Sequence, residues 1–211
     1  MNIATIRTNI YTVTGRPDRV DETNLAIQTA TLELHGMENW WRDKIEQRVD
    51  FSASSNYQQM PLSNLVRFRT FSYLRKFDPA GTDPLTGVGT GAPGDFFIPL
   101  QPDKILDRYG QTEDNIYYLS GGGLTANAVA QLRSTVAFQN LLIGWMQFPQ
   151  VDDLTQYQSW IAELFPWAII HRAAQLMKKY VQDSDQVKLL DQNTQLHIGI
   201  LLTNGLEFHS R

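Results

Sequence analysis

The chain has 211 residues, 19% charged and 42% hydrophobic, which fits a folded protein and excludes a disordered one. A formal net charge of -4 argues against a dedicated polyanion binder, whose footprint is basic overall, while leaving local basic patches open. With no cysteine there can be no disulfide, no thiol catalysis and no zinc site with sulfur ligands, and the chain is compatible with a reducing cytoplasm.

Met1 to Arg16 is polar and β-branched and reads as an arm or short strand, with Gly15 near its end. Its apolar content is too low for the core of a signal peptide, so export is not expected. Pro17 suits the first turn of a helix, where its missing N–H costs nothing. Val20, Asn24, Ile27, Ala30, Thr31 and Leu34 then trace one helical face, which predicts a helix over about 18–35 with Gly36 as its C′ residue.

Trp40-Trp41 opens a β-rich region, expected to run to about residue 149. Ile45, Val49 and Phe51 have strand spacing, and Ser52 to Ser63, with Pro61, reads as a loop. Leu65 to Phe77 is dense in aromatic and β-branched residues, which predicts a long strand pairing with the one before. Asp78 to Gly94 holds three prolines and five glycines and reads as a long loop. Phe96 to Leu100 is a strand, Asp103 to Tyr109 a short helix, and Ile116 to Leu119 with Gly121-Gly122-Gly123 another hairpin. Gln131 to Phe138 and Leu141 to Phe148, split by Gln139-Asn140, suggest a last hairpin closed by Pro149.

The rest is helical, over about 152–204. Asp152 or Asp153 caps a helix reaching Leu164, Pro166 starts the next, and Asp183 with Gln186 resembles a capping box for the last. Trp167, Ile170, Ala174, Met177 and Val181, then Val187, Leu190, Thr194 and Leu201, are stripes that must be buried. Gly205 ends this helix, and 205–211 form a tail. No apolar run approaches the roughly 20 residues of a membrane helix, and no repeat or linker divides the chain. The fold class is α+β: one domain, 1–211, in which an antiparallel bundle of an N-terminal and three C-terminal helices carries a β-rich hairpin insertion.

No catalytic constellation stands out. Gly89-Thr90-Gly91-Ala92-Pro93-Gly94 has dinucleotide-binding spacing but lacks the strand before and helix after that would aim a pyrophosphate at a helix N-terminus. His35, His171, His197 and His209 have no ligand spacing, and no serine sits in a nucleophile elbow. Asp152-Asp153 and Glu113-Asp114 are adjacent carboxylates whose side chains diverge on most backbones, and capping and a solvated loop explain them. No cofactor, metal or enzymatic activity is expected. Arg67, Arg69, Arg75 and Lys76, interleaved with Phe68, Phe71 and Tyr73, are candidate DNA or subunit contacts, because such a strand can stack bases and neutralise phosphates. Trp40 and Trp41 are candidate interface anchors, since neighbours on a strand face opposite sides.

The order of elements resembles that of the head-to-tail adaptor (connector) proteins of tailed bacteriophages. The parts that carry the resemblance are Val20 to Trp41, the aromatic-x-x-apolar-Pro turn Tyr57-Gln58-Gln59-Met60-Pro61-Leu62, Leu141 to Pro149, and Asp152 to Leu202. The resemblance implies a chain made in the host cytoplasm that forms a homo-oligomeric ring, dodecameric, bound beneath the portal protein in the virion neck. Such a ring extends the channel through which DNA passes without sequence specificity, and it offers a docking surface to a tail or nozzle protein. It also implies that Leu206, Glu207 and Phe208 contact the portal. The alternative expectation is a nucleic-acid-binding module using the basic aromatic strand 65–77.

Overall fold

The computed structural model describes residues 1–82, 91–100, 115–121, 128–181 and 184–206, with the side chains of 180–187 and 205–206 left aside. Within them the protein is mixed α+β, with five α-helices and a six-stranded sheet. The chain forms two compact units, Met1–Asp43 with Phe148–Arg211, and Lys44–Gln147.

The helical unit begins with α1 (Ile3–Thr14), where an arm or strand was expected. Asn2 caps it by accepting from Thr5 N–H, and Gly15 closes it in the left-handed region at φ 67. Ile6, Ile10 and Thr14 fall four apart and are buried. The hydroxyls of Thr8, Thr12 and Thr14 donate to the carbonyls of Ala4, Thr8 and Ile10 at 3.0, 3.1 and 2.8 Å. The β-branched composition that suggested a strand is thus overridden by packing of one isoleucine stripe.

α2 (Val20–Gly36) starts three residues after Pro17 and takes in Gly36, burying Ala26, Ile27, Ala30 and Leu34. After the sheet unit, Asp153 caps only a 3-10 turn, Leu154–Gln156, and the helix expected from 152 begins at Trp160. α3 (Trp160–Leu164) is capped by Ser159, whose Oγ accepts from Ala162 N–H. α4 (Pro166–Val181) starts at the expected proline and packs against all the other helices of this unit. Ala168, Ala173 and Ala174 are fully buried on it, small side chains that let neighbouring helices approach closely. α5 (Ser184–Leu206) buries Leu190, Thr194, Ile198 and Leu201. Its expected cap Asp183 lies outside the described residues, and the helix runs through Gly205 instead of ending there.

The sheet unit is organised by one long strand. β1 (Lys44–Pro61) continues through the expected loop, and Leu62–Asn64 is a 3-10 turn. β2 (Phe68–Asp78), β3 (Ala92–Phe96), β4 (Ile98–Pro99) and β5 (Ile116–Ser120) follow. β6 (Val129–Gln147) is a single strand where a hairpin was expected. It pairs antiparallel with β1 from Lys44↔Met146 to Pro61↔Val129, leaving its other edge to β2 at residues 141–147 and to β5 at 129–133. β2 therefore pairs with β6 and β3, not with β1.

Gln139-Asn140, which reads locally as a turn, lies where the β1–β6 ladder is irregular. The register breaks between Asp50↔Asn140 and Tyr57↔Arg133 and is then recovered. The side of the chain that is buried changes across this break: Ala130 and Leu132 precede it, Phe138 lies within it, and Leu141, Ile143 and Trp145 follow it, out of step by one residue. With Met60, Leu74 and Phe97 these side chains form the core of this unit. β1 is exposed along most of its length, and Lys44, Glu46, Arg48 and Asp50 place charge along it, a device that discourages edge-to-edge pairing. β3 occupies the second half of the Gly-rich run, so no helix follows Gly94 as dinucleotide binding requires.

Candidate functional site

The Trp40-Trp41 step lies on no strand. Trp40 follows α2 and is 2% exposed; its indole N–H donates to Leu34 O at 3.0 Å. Trp41 opens a 3-10 turn, Trp41–Asp43, and is 39% exposed. The neighbouring tryptophans thus divide between core and surface because the chain turns sharply there, not because a strand alternates. The Arg42 guanidinium stands 4.5 Å over the Trp41 ring and 5.9 Å from Trp160. These side chains, with Leu164, Phe165 and Asn204, line a small aromatic cleft of about 60 Å³.

Behind the cleft lies a buried polar cluster that no spacing in the sequence indicates. His35, from the last turn of α2, has Nδ1 at 2.8 Å from Asp43 Oδ2 and Nε2 at 2.9 Å from Ser159 Oγ. Trp160 donates its indole N–H to Asp43 Oδ1 at 2.7 Å. All of His35, Asp43 and Ser159 are buried. The order carboxylate, imidazole, hydroxyl is that of nucleophilic serine sites. Here, however, the hydroxyl oxygen also accepts from Ala162 N–H as a helix cap, and Ser159 is not among the walls of the cleft. A serine nucleophile needs an oxygen that can reach a substrate carbonyl. The cluster instead ties the end of α2, the 3-10 turn and the start of α3 together with each polar group partnered.

Asp153, one of the paired carboxylates, is a cap: the Thr155 hydroxyl and backbone N–H hold its pKa below the ordinary value. Among the described residues no three His, Asp or Glu side chains group closely enough to hold a metal ion. His171 and His197 do meet, with ring centroids 4.8 Å apart.

In the sheet unit the basic aromatic strand is engaged with its own surroundings. Arg67 adopts φ 50, unusual for a long side chain, and donates to the Gln147 amide oxygen. Arg75 donates to Gly94 O through Nε and Nη2, at 3.1 and 2.9 Å, and lies 4.3 Å over Phe96. Arg69 and Lys76 are half-buried on β2. Lys44 covers the Tyr73 ring at 4.6 Å and Arg48 covers Phe77 at 5.0 Å, whereas Phe68 and Phe71 pack onto the core. The rings that would stack on bases already carry protein partners.

Two rows of apolar side chains are open on the helical unit. On α5, Leu189, Leu196 and Ile200 are 61%, 60% and 40% exposed, on a face roughly 120° from the buried row. On α2, Leu25 and Leu32, seven apart, form the second row at 55% and 37%. The tail residue Leu206 ends α5, while Glu207 and Phe208 lie outside the described residues. Compared with known proteins, the chain matches no protein-family model, and no curated protein matches it.

Proposed function

We propose that the chain is a structural head-to-tail adaptor of a tailed bacteriophage, a ring subunit that docks beneath the portal protein in the virion neck and works by binding. The observation that carries this reading is the pair of unlike apolar rows on α2 and α5. A helix needs one apolar face to join its own unit, and α5 has a second. Two different rows on one protomer suit a heterologous interface, in which one copy's α5 meets the next copy's α2; such interfaces close into rings when the rotation permits.

The order of elements supports the same reading: an amphipathic helix, a Trp-Trp turn, a β insertion and three helices. The expected helix bundle is retained in this proposal with α1 as an added member. Leu206, Glu207 and Phe208 remain the assigned portal contact, and the net charge of -4 suits a channel wall along which DNA slides without adhering. A tail or nozzle protein would then dock on the ring's far surface. The nucleic-acid-binding alternative has less support, because Arg67, Arg75, Tyr73 and Phe77 are occupied within the sheet unit.

Cryo-electron microscopy of the purified chain mixed with its portal tests the proposal. A ring stacked on the portal is expected. A chain that ignores the portal and binds oligonucleotide would overturn it.

A further inference from the structure

We propose that the outer edge of β1 docks a second copy of this chain, the two β1 strands pairing antiparallel about Gln47. Among the described residues β1 pairs only with β6, so its other edge presents a row of backbone donors and acceptors to a further strand. From Lys44↔Met146 to Asp50↔Asn140 the ladder beside that edge has no register break, which leaves a regular stretch able to take a strand by addition.

The charges identify the occupant. Lys44, Glu46, Arg48 and Asp50 share one face, alternate in sign and are all exposed. Pairing about Gln47 sets Lys44 opposite Asp50 and Glu46 opposite Arg48, each twice by symmetry. On the other face it sets Ile45, 38% exposed, opposite Val49. Sliding the copies by two residues in one direction sets Glu46 against Asp50 and Arg48 against itself. In the other direction Lys44 meets Arg48 and Glu46 meets itself. A slip of one residue joins the charged face of one copy to the apolar face of the other, and a parallel in-register pair sets every charge against its like. The pattern that turns foreign strands away thus admits its own copy in one register.

Glu46 points the same way. Among the described residues it has no ion-pair partner, and it lies opposite Gly144 on β6, whereas Arg48 is held by Asp50 at 2.8 Å. Its complement is the second copy's Arg48. Lys44 and Arg48 lie over the Tyr73 and Phe77 rings on exposed stems, and such contacts are weak enough for both to swing to the edge. The pairing uses neither the α2 nor the α5 row, so it stands apart from the adaptor reading.

The chain has no cysteine, so Gln47→Cys places one thiol on the two-fold axis of the pair. Opposite Cα atoms of an antiparallel pair are about 4.5–5.5 Å apart, within the span of a disulfide. Mild oxidation of the full chain carrying Gln47→Cys, read on a non-reducing gel, should give a cross-linked dimer. Adding Glu46→Arg, or adding Arg48→Glu, sets like charges opposite each other and should cut the cross-link by about tenfold or more. Mixing the two charge variants restores every opposite pair, and the cross-link should return. Glu46 has no ion pair to lose and the Arg48–Asp50 pair is exposed, so both variants keep their fold, which equal melting temperatures check. A Gln47→Cys chain that does not cross-link, charge variants that cross-link as fully as their parent, or a mixture that does not recover would each overturn the pairing.

Discussion

His35 and Asp43 are eight residues apart, and the imidazole Nδ1 lies within 2.9 Å of both carboxylate oxygens, with neither residue more than 7% exposed. The carboxylate has a further donor in Trp160, and the imidazole a further partner in Ser159. The chain crosses from the helical unit to the sheet unit immediately after Asp43, so this cluster fixes the last turn of the helical unit.

Replacing His35 by alanine leaves the Asp43 carboxylate buried with half its partners. Breaking a buried pair from one side costs about 2–4 kcal/mol. For a chain of this size that is a fall of roughly 5–15 °C in melting temperature. Ser159→Ala removes a cap and one hydrogen bond and should cost only about 1 kcal/mol. Thermal melts of the two variants check the order; a larger loss for Ser159→Ala would contradict the assignment of Asp43 and His35 as the pin.

Gly144 and Tyr73 are a tight pair across β6 and β2. A Cβ on Gly144 would come within 2.5 Å of the Tyr73 ring, whose face Lys44 also covers. Gly144→Ala should destabilise by about 1–3 kcal/mol through overcrowding. Combined with Tyr73→Leu, the loss should be smaller than the sum of the two single changes. Urea midpoints of both singles and the double check this.

Leu189→Gln with Leu196→Gln tests the exposed row of α5. Neither side chain packs into the unit, so the melting temperature should shift by less than about 0.5 kcal/mol equivalent per site. Attachment to the portal as a ring should nevertheless fail, measured by sedimentation of the mixture. Full ring formation by this variant would count against the proposed interface.

His171 is half-buried between Trp167 and His197, and its Nδ1 is buried without a partner. Burial first, and the charge of His197 second, hold its pKa below the ordinary 6.5. The folded chain therefore binds fewer protons than the unfolded chain in the window beneath 6.5. This contribution to stability is full above that pH and is lost as the pH falls. Urea midpoints at pH 7.5 and 5.5 should drop less for His171→Gln than for the parent chain.

Local patterns were legible where one element's own residues carry the signal. The apolar stripe after Pro166 marked α4, and the aromatic run after Leu65 marked β2. α1 was not legible, because its threonines and isoleucines favour strands and only the buried row of Ile6 and Ile10 makes a helix of them. Of the candidate site residues, Trp40 and Trp41 both border one cleft, Trp40 buried and Trp41 partly exposed, while Arg67 and Arg75 are engaged within the sheet unit.

By itself the amino-acid order determined the mixed class, the helical C-terminal part and the exclusion of cysteine chemistry, since each follows from composition or from spacing along a few turns. Only the tertiary structure decided that β1 pairs with β6 across some eighty residues of chain, that Gln139-Asn140 is a ladder irregularity and not a turn, and that His35, Asp43 and Ser159 meet. Such contacts depend on which distant segments are packed together, and that is a property of the whole chain's burial, which no local period records.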